Sequence, residues 1–249
     1  MAKHALFLAC VLGLTACTAS VEEPVEPVRV AVSAAAAGAM HPWLQSDQIR
    51  VDVLPAGAAL EAVEMDDADM AIAYAPPPQG WFVTPLVRDA LALVVHSDSA
   101  VLDISLEDLA GLYRGAIQNW EVLDGPDQPV RPILPYAGDE IRLQLERILG
   151  ENSAAVQSLL APTPEAVLAA VSETPGAFGF IPLSLLNDSV RVVRVEGIRP
   201  GPSTLAAGTY PLSLDILAMA PEEPVGAARA WLGQLQQQIV ESGAALDGD

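Results

Sequence analysis

The sequence predicts an α/β fold, with helices layered on mostly parallel sheets. Three observations predict it. Strand-like apolar runs alternate with helical patterns from residue 28 onward. Apolar residues make up 51 % of the 249-residue chain, which is ample for a core. Residues 90–95 (ALALVV) are apolar on both faces, as a central strand must be when helices cover both sides of its sheet.

The elements follow in order. Residues 28–32 (VRVAV) form a first strand, followed by a small-residue turn over 33–40 (SAAAAGAM). A second strand spans 49–54 (IRVDVL) and turns at 55–57 (PAG) into a helix over 58–65. The third strand covers 69–74 (DMAIAY), the triple proline 76–78 is a loop, and 90–95 is the fourth strand. Ser105 N-caps a helix that runs to about Tyr113, with Asp108 three residues on. Beyond it come a strand at 130–134 and a helix at 139–149, with Ile141, Leu145 and Ile148 on one face. A helix at 164–172 and strands at 177–181, 190–195 and 212–220 follow. The last helix, 224–242, sets Ala227, Trp231, Leu235 and Ile239 four residues apart. No repeat of 20–50 residues and no phosphate-cradling glycine loop is present.

The N-terminus reads as an address. Lys3 and His4 precede an apolar run from Ala5 to Leu14, and Leu14-Thr15-Ala16 precede Cys17. A charged start, an apolar stretch and small residues before a cut make a secretory signal. The Cys in that place resembles a bacterial lipobox, so residues 1–16 are expected to leave and Cys17 to carry lipid. Cys10 leaves with the signal. Residues 17–27, including the acidic, proline-spaced run 20–27 (SVEEPVEP), then form a stiff tether that holds the protein outside the cytoplasm.

Charge excludes several functions. The chain has 32 Asp and Glu against 12 Lys and Arg, for a formal charge of −20. Nucleic-acid backbones and anionic lipid surfaces are bound by basic faces, which this chain lacks. The only membrane contact expected is the N-terminal lipid. Two Cys without a Cys-x-x-Cys pair exclude a disulfide scaffold and a thiolate zinc site. His41 and His96 are isolated and adjoin no nucleophile motif, so no metal, cofactor or enzyme activity is expected.

Five segments carry a resemblance. They are 84–95 (TPLVRDALALVV), 104–125 (ISLEDLAGLYRGAIQNWEVLDG), 175–181 (PGAFGFI), 195–200 (VEGIRP) and 210–213 (YPLS). In this order and spacing they resemble the phosphate-binding proteins of bacterial ABC importers, within the periplasmic binding protein superfamily. The resemblance implies a two-lobed type II fold with a central ligand cleft. One lobe is expected at 28–96 and 208–249, and the other at 97–207. Crossovers are expected near 95–99 and 210–214. The resemblance also implies a monomer that delivers a small solute to an ABC permease. Tyr113, Trp120, Gly176 and Gly179 are expected to serve packing and turns. Trp43 is expected to pack as well.

The cleft residues do not suit phosphate. Such a site needs many donors. In the family, the loop after the first strand bears hydroxyls; here only Ser33 does, followed by Ala34 to Ala37. The turn after the second strand is Pro55-Ala56-Gly57-Ala58, without a hydroxyl. The third strand ends in Ala73 and Tyr74 where the family has Ser and Asp. The family's Arg and Gly-Ser-Gly-Thr align with Leu134 or Pro135 and with Gly138, Asp139, Glu140 and Ile141, and Arg142 follows. The cleft is therefore expected to be lined by Ser33, Ala35, Gly57, Tyr74, Gly138, Asp139, Glu140 and Arg142. Two carboxylates at a helix start satisfy its free N–H groups and repel a dianion. Asp139 and Glu140 are expected to cap that helix. A sharper alternative has them recognise, with Tyr74, a cationic or hydroxylated ligand. Two functions stay open: a solute-binding protein whose phosphate site is lost or altered, and a scaffold or sensor that uses the same fold for protein contacts.

Overall fold

The computed structural model describes residues 26–150 and 158–243. The leader, Cys10, Cys17 and the tether up to residue 25 lie outside them. The chain begins with three strands, β1 (Val28–Ser33), β2 (Ile49–Leu54) and β3 (Met70–Ala73). β1 lies between the other two and pairs in parallel with both. Helices α1 (Ala34–Met40) and α2 (Ala56–Glu64) connect them. The segment expected as a small-residue turn is helix α1. Alanine has the highest helix propensity, and Ser33 caps the start by accepting the Ala36 N–H at 3.2 Å.

Strand β4 (Phe82–His96) is 15 residues long and changes partner along its length. Up to Ala90 it pairs with β11 (Ser213–Ala220). From Leu91 to Val95 it pairs instead with β8 (Ala177–Pro182). Between these come β5 (Asp103–Ile104), α3 (Leu106–Arg114), β6 (Arg131–Leu134), α4 (Glu140–Leu149), β7 (Leu159–Leu160) and α5 (Pro164–Glu173). After β8 follow β9 (Val190–Val192), β10 (Arg194–Val195), α6 (Pro202–Ala206), β11 and α7 (Gly226–Glu241).

The main sheet runs β2-β1-β3-β11-β4-β8-β6-β7, with β9 also on β4. It is mixed rather than mostly parallel. The two long strands β4 and β11 pair antiparallel at its centre. The strand expected over 190–195 is two pieces, because β9 pairs with β4 while β10 pairs with β5. The central residues Leu91 to Val95 are fully buried, as two-sided burial requires.

The packing residues behave as expected. Tyr113 and Trp120 are buried, and Trp43 packs partly buried against the core. A Cβ at Gly179 would lie 2.6 Å from Val167 Cγ1 and 3.0 Å from the Ile133 carbonyl, so only glycine lets α5 and β6 approach β8. On α7, Trp231, Leu235 and Ile239 are buried, while Ala227 is exposed and Ala228 meets the core instead. Ser105 caps α3 by accepting the Asp108 N–H at 3.0 Å and donates to the Asp108 carboxylate at 2.7 Å. Ser105→Ala is expected to cost about 1 kcal/mol in urea unfolding, with an unchanged slope.

Candidate functional site

The site begins where β3 stops. Tyr74 follows the last ladder residue, so its N–H and C=O must find partners outside the sheet. Helix α4 supplies both. Glu140 Oε2 accepts the Tyr74 N–H at 2.9 Å. Gln144, one turn further, donates its side-chain amide to the Tyr74 carbonyl. Residues four apart share a helix face, so α4 grips both polar backbone groups of Tyr74 at once.

The Tyr74 phenol points the other way. It donates to Asp89 Oδ2 at 2.6 Å. Asp89 Oδ1 accepts the Ala90 N–H at 2.7 Å, and the Leu183 backbone adds a further hydrogen bond. Burial raises the Asp89 carboxyl, and these three hydrogen bonds act against that rise. Burial also holds the Tyr74 phenol well above its usual range, with the Asp89 charge adding to it. Asp89 precedes the point where β4 changes partner, so this pair sits at the passage between lobes.

Glu140 is only 4 % exposed. Burial pushes its carboxyl up from 4.5 to about 7. Hydrogen bonds from the Ser33 side chain and from the Tyr74 and Ala35 backbone favour the ionised form, whereas the neighbouring Asp139 charge opposes it. Ser33 and Ala35 stand at the end of β1 and in α1, so the carboxylate of α4 is held by the backbone of α1 and by the Ser33 hydroxyl.

The two acidic residues thus divide. Asp139 is the N-cap of α4 and accepts the Ile141 N–H at 2.9 Å and the Arg142 N–H at 3.4 Å, and burial raises its pKa. Glu140 does not cap its own helix. Asp139 already serves those donors, and the longer side chain reaches donors on the facing lobe. Its carboxylate is met by N–H and O–H groups, not left open to a cation. Arg142 lies apart: its guanidinium binds Glu146 at 3.0 Å and the Pro135 carbonyl at 3.1 Å, and Tyr113 donates to Glu146 at 2.6 Å.

Beside Glu140 lies a cavity of about 170 Å³, lined in part by Ala35, Gly57, Tyr136, Gly138 and Asp139. Five of the eight expected residues therefore surround one cavity, with Glu140 the fifth. Ser33 and Tyr74 join them through Glu140, while Arg142 is not among the lining residues. Sequence reading missed Asp89, Gln144 and Glu146. Only Asp89 left a signal, as an acid inside an otherwise apolar strand run. Among the described residues no group of His, Cys, Asp or Glu could hold a metal ion, and no helix is long and apolar enough to cross a membrane.

Comparisons with known proteins fit this architecture. The phosphate-binding protein PstS of Bacillus subtilis (strain 168) is 24 % identical over 192 residues, covering 75 % of this chain. The match spans 63 % of that relative's own length. A Clostridium perfringens protein crystallised with bound phosphate superposes with a TM-score of 0.79 at 21 % identity, covering 90 % of this chain and all of the other. An ABC-type phosphate transport receptor from Vibrio cholerae gives 0.70 at 20 % identity, covering 89 % of this chain and all of the other. At these identities the structures show the fold alone: two lobes around a central cleft. A PBP superfamily domain matches residues 18–234, most of the chain, and the chain therefore belongs to the PBP superfamily.

Proposed function

We propose that this chain is an extracytoplasmic, lipid-anchored solute-binding protein of the phosphate-binding type whose phosphate site is altered. One observation carries the reading: the buried carboxylate of Glu140 holds the donors of Ser33, Ala35 and Tyr74. A phosphate dianion placed there meets that charge and the adjoining Asp139, with Arg142 already bound to Glu146. The missing hydroxyls at Ala34 to Ala37 and Ala58 support the same reading. In it, residues 28–96 and 208–249 form one lobe and 97–207 the other. Chain passages lie at the partner change in β4 and near Tyr210, whose hydroxyl donates to the Leu91 carbonyl at 3.0 Å. Cys17 carries the lipid, the protein is a monomer, and its partners are a small solute other than phosphate and an ABC permease. It binds rather than catalyses.

A second reading, a scaffold or sensor, is favoured by closure without a solute. Helix α1 packs against the short turn Leu183–Leu185 of the facing lobe, and Leu183 also binds Asp89. Titrating residues 20–249 with phosphate, after partial unfolding to strip carried ligand, tests the altered site. No heat and no Trp fluorescence change are expected up to millimolar phosphate. Saturable micromolar binding would overturn it. Amines and polyols that bind and shift the fluorescence support the solute receptor; a panel without response supports the scaffold.

A further inference from the structure

We propose that Glu140 is the protein's own ligand: its carboxylate fills a small-carboxylate site made by Ser33, Ala35 and Tyr74, and a free monocarboxylate takes that place once the Glu140 side chain is shortened. The proposal rests on the functional reading above and deepens it by naming what the site holds.

The site spans the cleft. Its donors come from the ends of β1 and β3 and from α1, and its acceptor comes from α4 across the gap. The contributing residues are buried: Ser33 is 0 % exposed, Tyr74 1 % and Glu140 4 %. Three donors suit the two oxygens of a carboxylate, whereas a phosphate brings four oxygens and more charge. Among the described residues no cation balances a second charge there. Arg142 is held by Glu146 and the Pro135 carbonyl, while Asp139 adjoins Glu140 and Asp89 lies on the other side of Tyr74. A monocarboxylate, as a single charge or as its neutral acid, is therefore the fitting class.

The frame of the site does not depend on the Glu140 side chain alone. Gln144 holds the Tyr74 carbonyl, and Asp89 holds its hydroxyl. Glu140→Ala then removes a methylene and a carboxylate, a fragment of the size of acetate, and leaves the donors facing a gap.

The test uses the full chain in detergent at neutral pH. Thermal unfolding of wild type, E140A and E140Q is followed against sodium acetate, with chloride at equal ionic strength as reference and phosphate as a separate arm. A saturable rise in Tm with acetate is expected for E140A only. Adding Ser33→Ala to E140A is expected to weaken the response roughly tenfold. If E140A does not fold in chloride, its refolding yield in acetate against chloride reads the same site, and rescue by acetate is the expected result. The proposal is overturned if E140A gains nothing from acetate in stability or yield. It is equally overturned if phosphate outcompetes acetate on E140A, or if wild type and E140Q respond as E140A does. Failure of the functional reading shows separately, as saturable phosphate binding by the wild type.

Discussion

Glu140→Gln is expected to stabilise the protein at pH 8 relative to its effect at pH 4. The folded Glu140 carboxyl stands at about 7 against 4.5 when exposed, because burial disfavours its charge. Below 4.5 both folded and unfolded chains carry the proton, and the stability gained from burying a neutral acid is complete. Between 4.5 and 7 the unfolded chain loses the proton first, so stability falls as pH rises, by about 1.4 kcal/mol per unit. Above 7 the loss is complete, on the order of 3 kcal/mol. The amide cannot ionise, yet it keeps an acceptor oxygen for the Tyr74 N–H. Asp89 titrates alike in both proteins and cancels in the difference, whereas Asp139, whose charge adjoins Glu140, adds a coupled share to the same window. Urea unfolding of both proteins from pH 4 to 8 checks this. A gap between the two curves that does not widen across that window sinks the assignment.

Trp120→Ala is expected to lose about 4 kcal/mol, the scale of an emptied aromatic site. Trp120 is 2 % exposed, and its indole N–H binds the Gly176 carbonyl at 2.8 Å. Its ring meets Phe178 edge-on at 6.2 Å, and Phe178 meets Phe180 in the same way at 6.0 Å. The mutation removes the first member of this stack and one of two donors on the Gly176 carbonyl, which keeps the Arg131 N–H at 3.0 Å. Trp120→Phe keeps the ring contact and loses only the hydrogen bond, so it is expected to cost about 1–2 kcal/mol. Denaturant midpoints with constant slopes measure both; equal losses would show that packing contributes little here.

Local pattern reached most strands and helices to within a few residues, because apolar period and caps are written in neighbouring positions. What it missed depends on distant partners. The strand β4 was expected only from Ala90, although it starts at Phe82 and carries Pro85, Arg88 and Asp89. Pro85 is accommodated next to a register shift opposite Ile216 and Leu217. Arg88 faces Asp215 across the ladder and binds it at 3.1 Å, and Asp89 is met by Tyr74. None of these partners lies near in sequence. The α1 helix was read as a turn, because a run of small residues carries no apolar period to announce a helix.

At the candidate site the sequence placed residues near one another more readily than it set their wiring: five of the eight expected residues border one cavity. Which carboxylate caps and which crosses could not be read, because the choice is made by donors on Ser33, Ala35 and Tyr74, far earlier in the chain. Gln144 gave no sign at all, being an ordinary polar residue on a helix.

A side chain on the same polypeptide competes differently from a dissolved solute. Its effective concentration is in the millimolar range or above and never varies with the surroundings. A dissolved anion at micromolar concentration with equal contacts therefore loses to Glu140 roughly a thousandfold. Occupancy of those donors is thereby uncoupled from the concentration of any dissolved anion, so scarcity and abundance of such anions leave the same hydrogen bonds in place.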